Sequence, residues 1–390
     1  MNKKFYRDSW VEVNLDHIIY NIQQLQNRLP DKTNIYAVVK ANGYGHGDVE
    51  VARAALAGGA DRLAVALLDE ALHLREAGIT APILVMGWIR PEDAIIAAND
   101  DITVTCFQKE WLQEIQQYAL PVPLKVHLKW DTGMGRIGIR EEEELVEILP
   151  YLAQDGIELE GVFTHFATAD EVSTEHFEAQ RTQFQVLWDV FQREWKGSSV
   201  LVHTGNSAAS MRFPEKMFDY VRFGISMYGL YPSPVVKAER PIDLQPALSL
   251  HSRLIHVKTV EAGAAISYGA TYVAEEKEWI GTVPLGYADG IKRALQGADV
   301  LVNGERCEIV GRICMDQFMV RLPRPAQVGD QVTLIGTQGK EMVEMDEWAD
   351  ILETINYEIA CMISYRIPRI YSEARNHESL ASEDVNSSLS

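Results

Sequence analysis

Eight short, nearly continuous apolar runs punctuate the first 240 or so residues, at 35–40, 62–67, 81–87, 102–107, 124–129, 159–166, 199–203 and 220–227. Between them apolar positions recur with the 3.6-residue period of a helix, as at Trp111, Ile115 and Tyr118 or at Phe177, Phe184, Leu187 and Phe191. Gly58 and Gly78 close two of these helices and Pro91 opens another. Strands with so few polar positions are buried on both faces, as in a parallel sheet covered by helices. Eight strand–helix units therefore predict an α/β fold, a TIM (β/α)8 barrel, in preference to a doubly wound sheet. The eighth run has no clear helix behind it. An apolar stripe ahead of the first, Ile18, Ile22, Leu25 and Leu29, predicts a leading helix that could take the missing place in the ring.

The pattern then changes. Residues 231–246, YPSPVVKAERPIDLQP, hold four prolines and read as an interdomain linker. Beyond them alternating strands are expected at 247–260, 279–284, 308–313, 318–322 and 331–335, with one helix over about 345–363. The expected organisation is a barrel over 1–240, a mostly β C-terminal domain over 241–373, and a polar tail, 374–390, expected to be disordered.

A length of 390 residues agrees with two domains. The formal net charge of −20 argues against nucleic acid as a partner, because phosphates would be repelled. No apolar run approaches the roughly 20 residues that span a bilayer, so no membrane association is expected. The N-terminus, MNKKFYRDSW, has no apolar h-region behind its basic residues and no secretory signal is read there. Cys106, Cys307, Cys314 and Cys361 show no C-x-x-C spacing and read as reduced thiols of a cytoplasmic protein. No metal site is expected.

In a barrel of this kind the chemistry lies at the C-terminal strand ends. The polar residues of this chain gather there. The first run leads into Lys40 in AVVKANGYGHG, with Tyr44 just beyond. A lysine at the end of a buried strand loses hydration, which disfavours its charged form and frees the amine to attack a carbonyl. A lysine that only snorkels outward is the alternative at that position taken alone. Lys129, Asp131 and Arg136 follow the fifth run in LKWDTGMGRIG, and His165 lies near the end of the sixth in GVFTHFATAD. His203, Asn206 and Ser207 end the seventh in VHTGNSAA, and Arg222 and Gly224 occupy the eighth in YVRFGISMYG. Any one of these could be a satisfied core polar group; their common placement argues for a site. The Ser207 hydroxyl, the N–H groups of residues 207 and 208 and the backbone around Gly224 suit a phosphate, which this barrel often binds after its seventh and eighth strands. A Schiff-base lysine with a phosphate cradle points to pyridoxal 5′-phosphate.

The motifs AVVKANGYGHG, KWDTGMGRIG, HFATADE, SYGATY, GYADG, GRICMDQFMV and ETINYE stand in the order found in bacterial alanine racemases. The chain resembles that family from YRDSWVEVNLD to IPRIY, nearly end to end. The resemblance implies a pyridoxal phosphate enzyme that interconverts L- and D-alanine, as a homodimer with shared active sites, and supplies D-alanine for peptidoglycan. Lys40 would hold the cofactor covalently. Tyr44, Ser207, Gly224, Ile225 and Tyr357 would hold its phosphate, Arg222 would face the pyridine nitrogen, and His165 and His203 would belong to the cofactor surroundings. Arg136 and the backbone of Met315 would receive the substrate carboxylate. Tyr268 would be the second base, reaching in with Met315 from the partner subunit, and Tyr287 would help gate the entrance. Lys129 would be carbamylated, its new negative charge steadying Arg136; an unmodified lysine paired with a carboxylate is the alternative.

The residue types suit racemisation. A proton must leave one face of the α-carbon and return to the other, so one base stands on each side, Lys40 and Tyr268. A tyrosine base needs cationic or hydrogen-bonding neighbours to lower its pKa, and His165 and Arg136 are the expected ones. Arg222 cannot readily give up a proton and would leave the pyridine nitrogen unprotonated, limiting side reactions. A barrel-type amino-acid decarboxylase would place a carboxylate at that position. A non-catalytic pyridoxal phosphate carrier would not need a second domain bearing SYGA and CMDQ. A serine or broad-specificity racemase is the remaining alternative; Tyr357 and Met315, leaving little room beyond a methyl group, favour alanine.

Overall fold

The computed structural model describes residues 6–372, so the tail over 374–390 lies outside the described residues, as do Met1 to Phe5 of the leader reading. Contacts divide the chain into two compact units. One comprises His17–Gly43 and Asp48–Gln245; the other comprises Tyr44–Gly47 and the described residues of Met1–Asp16 and Pro246–Ser390.

The first unit is a closed barrel of eight parallel strands: Asn34–Val38, Arg62–Val65, Ile83–Val85, Ile102–Cys106, Leu124–Lys129, Ile157–Phe163, Leu201–Gly205 and Tyr220–Phe223. Each expected strand is present. Helices alternate with the strands, the longest being Glu175–Glu194, whose Phe177, Phe184, Leu187 and Phe191 are buried as the period requires. The helix Lys109–Ile115 stops short of Tyr118, which the stripe had included. Directly after the eighth strand comes the 3-10 turn Ile225–Tyr228, and a short helix follows it further along the chain. The leading helix Leu15–Gln26 buries Ile18, Ile22 and Leu25 completely. Its Asn21 amide donates to the carbonyls of Met227 (3.0 Å) and Gln245 (2.8 Å), which ties the helix to the chain beyond the eighth strand.

Within residues 231–246 the chain is less of a linker than expected. Pro234–Glu239 is a helix, because Pro234 at its first position lacks only an N–H that a first turn leaves unpaired, and the Ser233 hydroxyl accepts from the Val236 N–H. The Tyr231 hydroxyl donates to the Ile242 carbonyl at 2.8 Å, and residues up to Gln245 group with the barrel.

The second unit is a mostly antiparallel sheet in the order His256–Val260, Glu278–Val283, Phe318–Leu322, Glu305–Val310, Asp299–Val302, Gln331–Gln338, Leu248–Arg253, Ser9–Asn14 and Arg369–Ser372. Several features depart from the expectation, among them an additional strand at Asp299–Val302. Ser9–Asn14 is a strand of this sheet, not of the barrel: Val11 and Val13 point inward, and the strand pairs antiparallel with Leu248–Arg253 and parallel with Arg369–Ser372. The run 247–260 breaks at Leu254 into two strands. The helix over 345–363 is two, Met345–Ile351 and Asn356–Met362, separated where Glu353 takes a φ of 52°.

Candidate active site

The first barrel strand delivers Lys40 into a turn of rare geometry. Ala41, Asn42, Gly43 and Tyr44 all have left-handed φ, between 51° and 58°. Such conformations cost roughly 1–2 kcal/mol per non-glycine residue and rarely occur in succession. Within the barrel unit the Gly43 N–H donates to the Val39 carbonyl (2.9 Å), and the Ala41 N–H donates to Glu70 Oε1 (2.6 Å). Glu70 Oε2 accepts from the N–H groups of Ala66 and Leu67, so one carboxylate anchors two loops. Backbone held in a strained form beside a candidate nucleophile marks a functional site.

Arg222 stands inside the barrel, 3% exposed. Nη1 donates to His203 Nδ1 (2.7 Å) and to the His203 carbonyl (3.1 Å). Nη2 donates to the carbonyls of Thr164 (2.7 Å) and Thr204 (3.2 Å) and to His165 Nδ1 (3.1 Å). The Nε–H makes no hydrogen bond among the described residues. Burial chiefly pushes the guanidinium pKa down, to about 9, which leaves it a cation at neutral pH. His165 and His203 are both held well below the ordinary histidine range, first by burial and then by Arg222, and are neutral acceptors. Lys129, Arg136 and Lys40 add to the field at His165, which brings these residues to one end of one barrel.

Lys129 closes the fifth strand, 3% exposed, with its Nζ 4.9 Å from the centre of the Phe163 ring. Burial, then Arg222 and Arg136, push its pKa down to about 7. It has no ion-pair partner among the described residues; the Asp131 carboxylate instead accepts from the N–H groups of Gly133 (3.1 Å) and Gly135 (2.9 Å). The loop carrying Arg136, which is exposed, folds back at Gly138 with φ of 133°; a Cβ there would lie 2.4 Å from the Asp131 nitrogen, so only glycine fits.

Ser207 opens a short helix capped by Asn206, whose side chain accepts from the Ala209 N–H at 3.0 Å. The Ser207 Oγ accepts from the Gly224 N–H at 3.0 Å, so that amide is engaged within the protein while the serine proton remains to donate. Ile225 follows at the start of the 3-10 turn, buried.

The other sequence-identified residues lie in the second unit, in two groups. Tyr44 and Tyr357 are neighbours, with ring centroids 6.2 Å apart. Tyr268, Tyr287 and Met315 form an exposed group, at 71%, 43% and 54% exposure. The Tyr287 N–H donates to the Cys314 carbonyl and the Ala288 N–H to the Met315 carbonyl, each at 3.0 Å, while the Ser267 hydroxyl donates to the Arg312 carbonyl at 2.6 Å. Three loops, bonded to one another, thus hold the tyrosines and the methionine on one surface.

Sequence reasoning missed Glu70, His127, Glu160 and Arg62. His127 Nδ1 lies 2.8 Å from His203 Nε2, and His127 Nε2 lies 2.9 Å from Glu160 Oε2. Arg62 donates to Glu160 Oε1 at 2.8 Å. For His127, Glu160 and Arg62 the only signal is a polar residue within a barrel strand, and for Glu70 an acidic residue in the first turn of the helix Leu68–Glu76. Among the described residues no group of His, Cys, Asp and Glu could hold a metal ion, and no helix is long and apolar enough to cross a membrane.

Two family models match the chain: alanine racemase, N-terminal domain, over residues 13–232, and alanine racemase, C-terminal domain, over 247–371. An alanine racemase of Geobacillus stearothermophilus is 56% identical over 370 residues, covering 94% of each chain. The crystal structure of alanine racemase from Bacillus anthracis with bound L-Ala-P superposes with a TM-score of 0.92 at 50% identity, over 95% of this chain and 97% of that one. A histidine racemase from Leuconostoc mesenteroides superposes at 0.88 with 32% identity, over 95% of this chain and 100% of that one.

Proposed function

The chain belongs to the alanine racemase family, and from that footing we propose how its residues interconvert L- and D-alanine with pyridoxal 5′-phosphate. One observation carries the reading: a buried guanidinium whose Nη donors are all taken by protein acceptors keeps a single Nε–H unengaged, at the barrel end that holds Lys40. That donor suits a pyridine nitrogen, the Lys40 amine suits an aldehyde carbon, and the Ser207 hydroxyl suits a phosphate oxygen. The residues present therefore fit the cofactor. When bound, pyridoxal phosphate supplies an electron-withdrawing ring that acidifies the α-proton of an attached amino acid.

The protein's own part is to hold and to move protons. Lys40 would hold the cofactor covalently, and its Nζ, when free, would serve one face of the α-carbon. Tyr268 Oη serves the opposite face. Arg222, a cation that only donates, keeps the ring nitrogen unprotonated. Tyr44, Ser207, Ile225 and Tyr357 secure the phosphate, Gly224 acting through the N–H that orients the Ser207 hydroxyl, with His165 and His203 fixing the ring's surroundings through Arg222. Arg136 and the Met315 N–H receive the substrate carboxylate, and Tyr287 narrows the entrance. A neutral Lys129 amine is competent to take up carbon dioxide as a carbamate, giving Arg136 an anionic neighbour. The exposure of Tyr268, Tyr287 and Met315 on one surface supports a homodimer in which a second copy is seated there and takes these residues into its own site. The expected setting is the cytoplasm and the expected product use is D-alanine for peptidoglycan.

The test is polarimetry of pure L-alanine with the purified protein, with and without added pyridoxal phosphate, and with L-serine and L-histidine in parallel. Loss of rotation to zero with alanine, faster with cofactor, is expected. Equal or faster loss with serine or histidine would replace alanine as the main substrate, and no loss with any of them would end the reading.

A further inference from the structure

We propose that Glu160 is a positioning residue for Arg222, acting along the barrel interior through a one-directional chain of hydrogen bonds, Arg222 to His203 to His127 to Glu160. The direction follows from the two ends. Arg222 Nη1 can only donate, so His203 Nδ1, at 2.7 Å, must be bare. In a neutral ring the proton then sits on Nε2, which donates to His127 Nδ1 at 2.8 Å. His127 in turn carries its proton on Nε2 and donates to Glu160 Oε2 at 2.9 Å. The far end is a carboxylate, which can only accept. Burial raises the Glu160 pKa, but the bonds from His127 and Arg62 outweigh it and hold the group near 2.

The surroundings leave the two rings little freedom. His203 stacks on Phe163, with centroids 4.6 Å apart and planes 9° from parallel. A Cβ at Gly161 would lie 2.7 Å from His127 Cε1, so the glycine is what admits the ring. Thr103 donates to the Glu160 oxygen that receives His127, at 3.2 Å, and Arg62 occupies the other. Arg62 and Glu160 line a cleft of about 980 Å³ together with Pro123 and Leu201, which flank strand starts, so the chain of bonds runs from the Lys40 end of the barrel toward its opposite end.

The consequence is tautomer control. With Glu160 accepting, His203 presents a lone pair to Arg222 and fixes the guanidinium plane, and with it the Nε–H. This step rests on the cofactor reading given above. Without a fixed acceptor at the far end, His127 can turn its tautomer, His203 must follow, and an N–H would then face the Arg222 Nη1–H.

Glu160→Gln is the informative change. Its one amide oxygen cannot serve both Arg62 and His127, so the amide N–H₂ is driven toward one of two donors. Neutron diffraction of the deuterium-exchanged wild type should place deuterium on Nε2, and not on Nδ1, of both His127 and His203. In Glu160→Gln the pattern should be mixed or reversed, kcat should fall about tenfold or more, and KM for alanine should stay within about twofold because Glu160 does not touch substrate. Deuterium on Nδ1 of either histidine in the wild type would overturn the proposal, and this holds even if the variant does not fold. An unchanged pattern in the variant with unchanged kcat would also overturn it. Failure of the racemase reading would look different: the wild-type deuterium pattern as expected, but no turnover of alanine.

Discussion

Replacing Lys129 by methionine tests whether the barrel holds a neutral amine beside Arg222. Lys129 is 3% exposed, and burial followed by Arg222 and Arg136 takes its pKa from 10.5 to about 7. In the unfolded chain the amine returns to its ordinary value. Between about pH 7 and 10.5 the unfolded state therefore holds one proton more than the folded state, and stability rises at ~1.4 kcal/mol per pH unit. Below that window both states are protonated and the cost of the buried charge is present in full, roughly 5 kcal/mol. Methionine has similar reach and does not titrate. The stability of Lys129→Met relative to wild type should therefore be greatest near pH 6 and should decline by roughly 2–3 kcal/mol between about pH 7 and 9. Urea unfolding of both proteins in bicarbonate-free buffer across that range measures the difference, with the other titrating groups cancelling. A difference that does not change with pH would refute the burial argument. Adding ¹³C-bicarbonate at about pH 8 should then give the wild type a carbamate resonance, and a gain in stability that the variant lacks, because binding to the folded state alone stabilises it. A pH-dependent difference without that resonance would retain the neutral amine and remove the modification.

Borohydride reduction of the cofactor-loaded protein followed by peptide mapping should place the pyridoxyl group on Lys40; a label on Lys129 or Lys258 would overturn the assignment of the covalent site. Lys40→Ala and Tyr268→Ala chains, each nearly inactive alone, should regain about a quarter of wild-type activity after subunit exchange, since half the dimers are mixed and each has one complete site. Demonstrated exchange with no recovery would place both bases on one chain.

How much of this was legible in the sequence depends on the range of the interactions involved. The barrel strands could be read because burial on both faces writes a continuous apolar run, and each run lies next to the one it pairs with. Ser9–Asn14 shows the opposite case. Its alternation, SWVEVN, is plain, but its partners Leu248–Arg253 and Arg369–Ser372 are more than 200 residues away, and local pattern says nothing about which sheet a strand will join. The short hairpin of Asp299–Val302 with Glu305–Val310 carries an Asn303–Gly304 turn signal, but its first strand is only four residues long, too short for a clear alternation. Lys40, Arg136, Ser207 and Arg222 could be found because they stand at strand ends beside glycine-rich loops. Glu160 and His127 could not, because a polar residue inside a strand carries no mark of whether its partner is water, a backbone group or another buried side chain.

The electrostatics of the barrel end give these residues a common logic. The chain carries a formal net charge of −20, yet Lys40, Lys129, Arg136 and Arg222 all act on His165 with the same sign. The nearby Asp131 has its Oδ1 engaged by two backbone N–H groups. Both histidines that touch Arg222 are held neutral, so they accept hydrogen bonds without adding charge. The cost of gathering cations in a buried place is visible in the depressed pKa values of Lys129 and Arg222. Such an arrangement is worth maintaining only if anions arrive to balance it, and the proposed chemistry brings three: a phosphate, a substrate carboxylate and a carbamate. Lys129 is the group on which the balance turns. As an ammonium it adds to the repulsion around Arg136, and as a carbamate it reverses it. The same burial that lowers its pKa toward neutrality leaves a larger share of the amine uncharged, which is the form that the proposed carbamate requires.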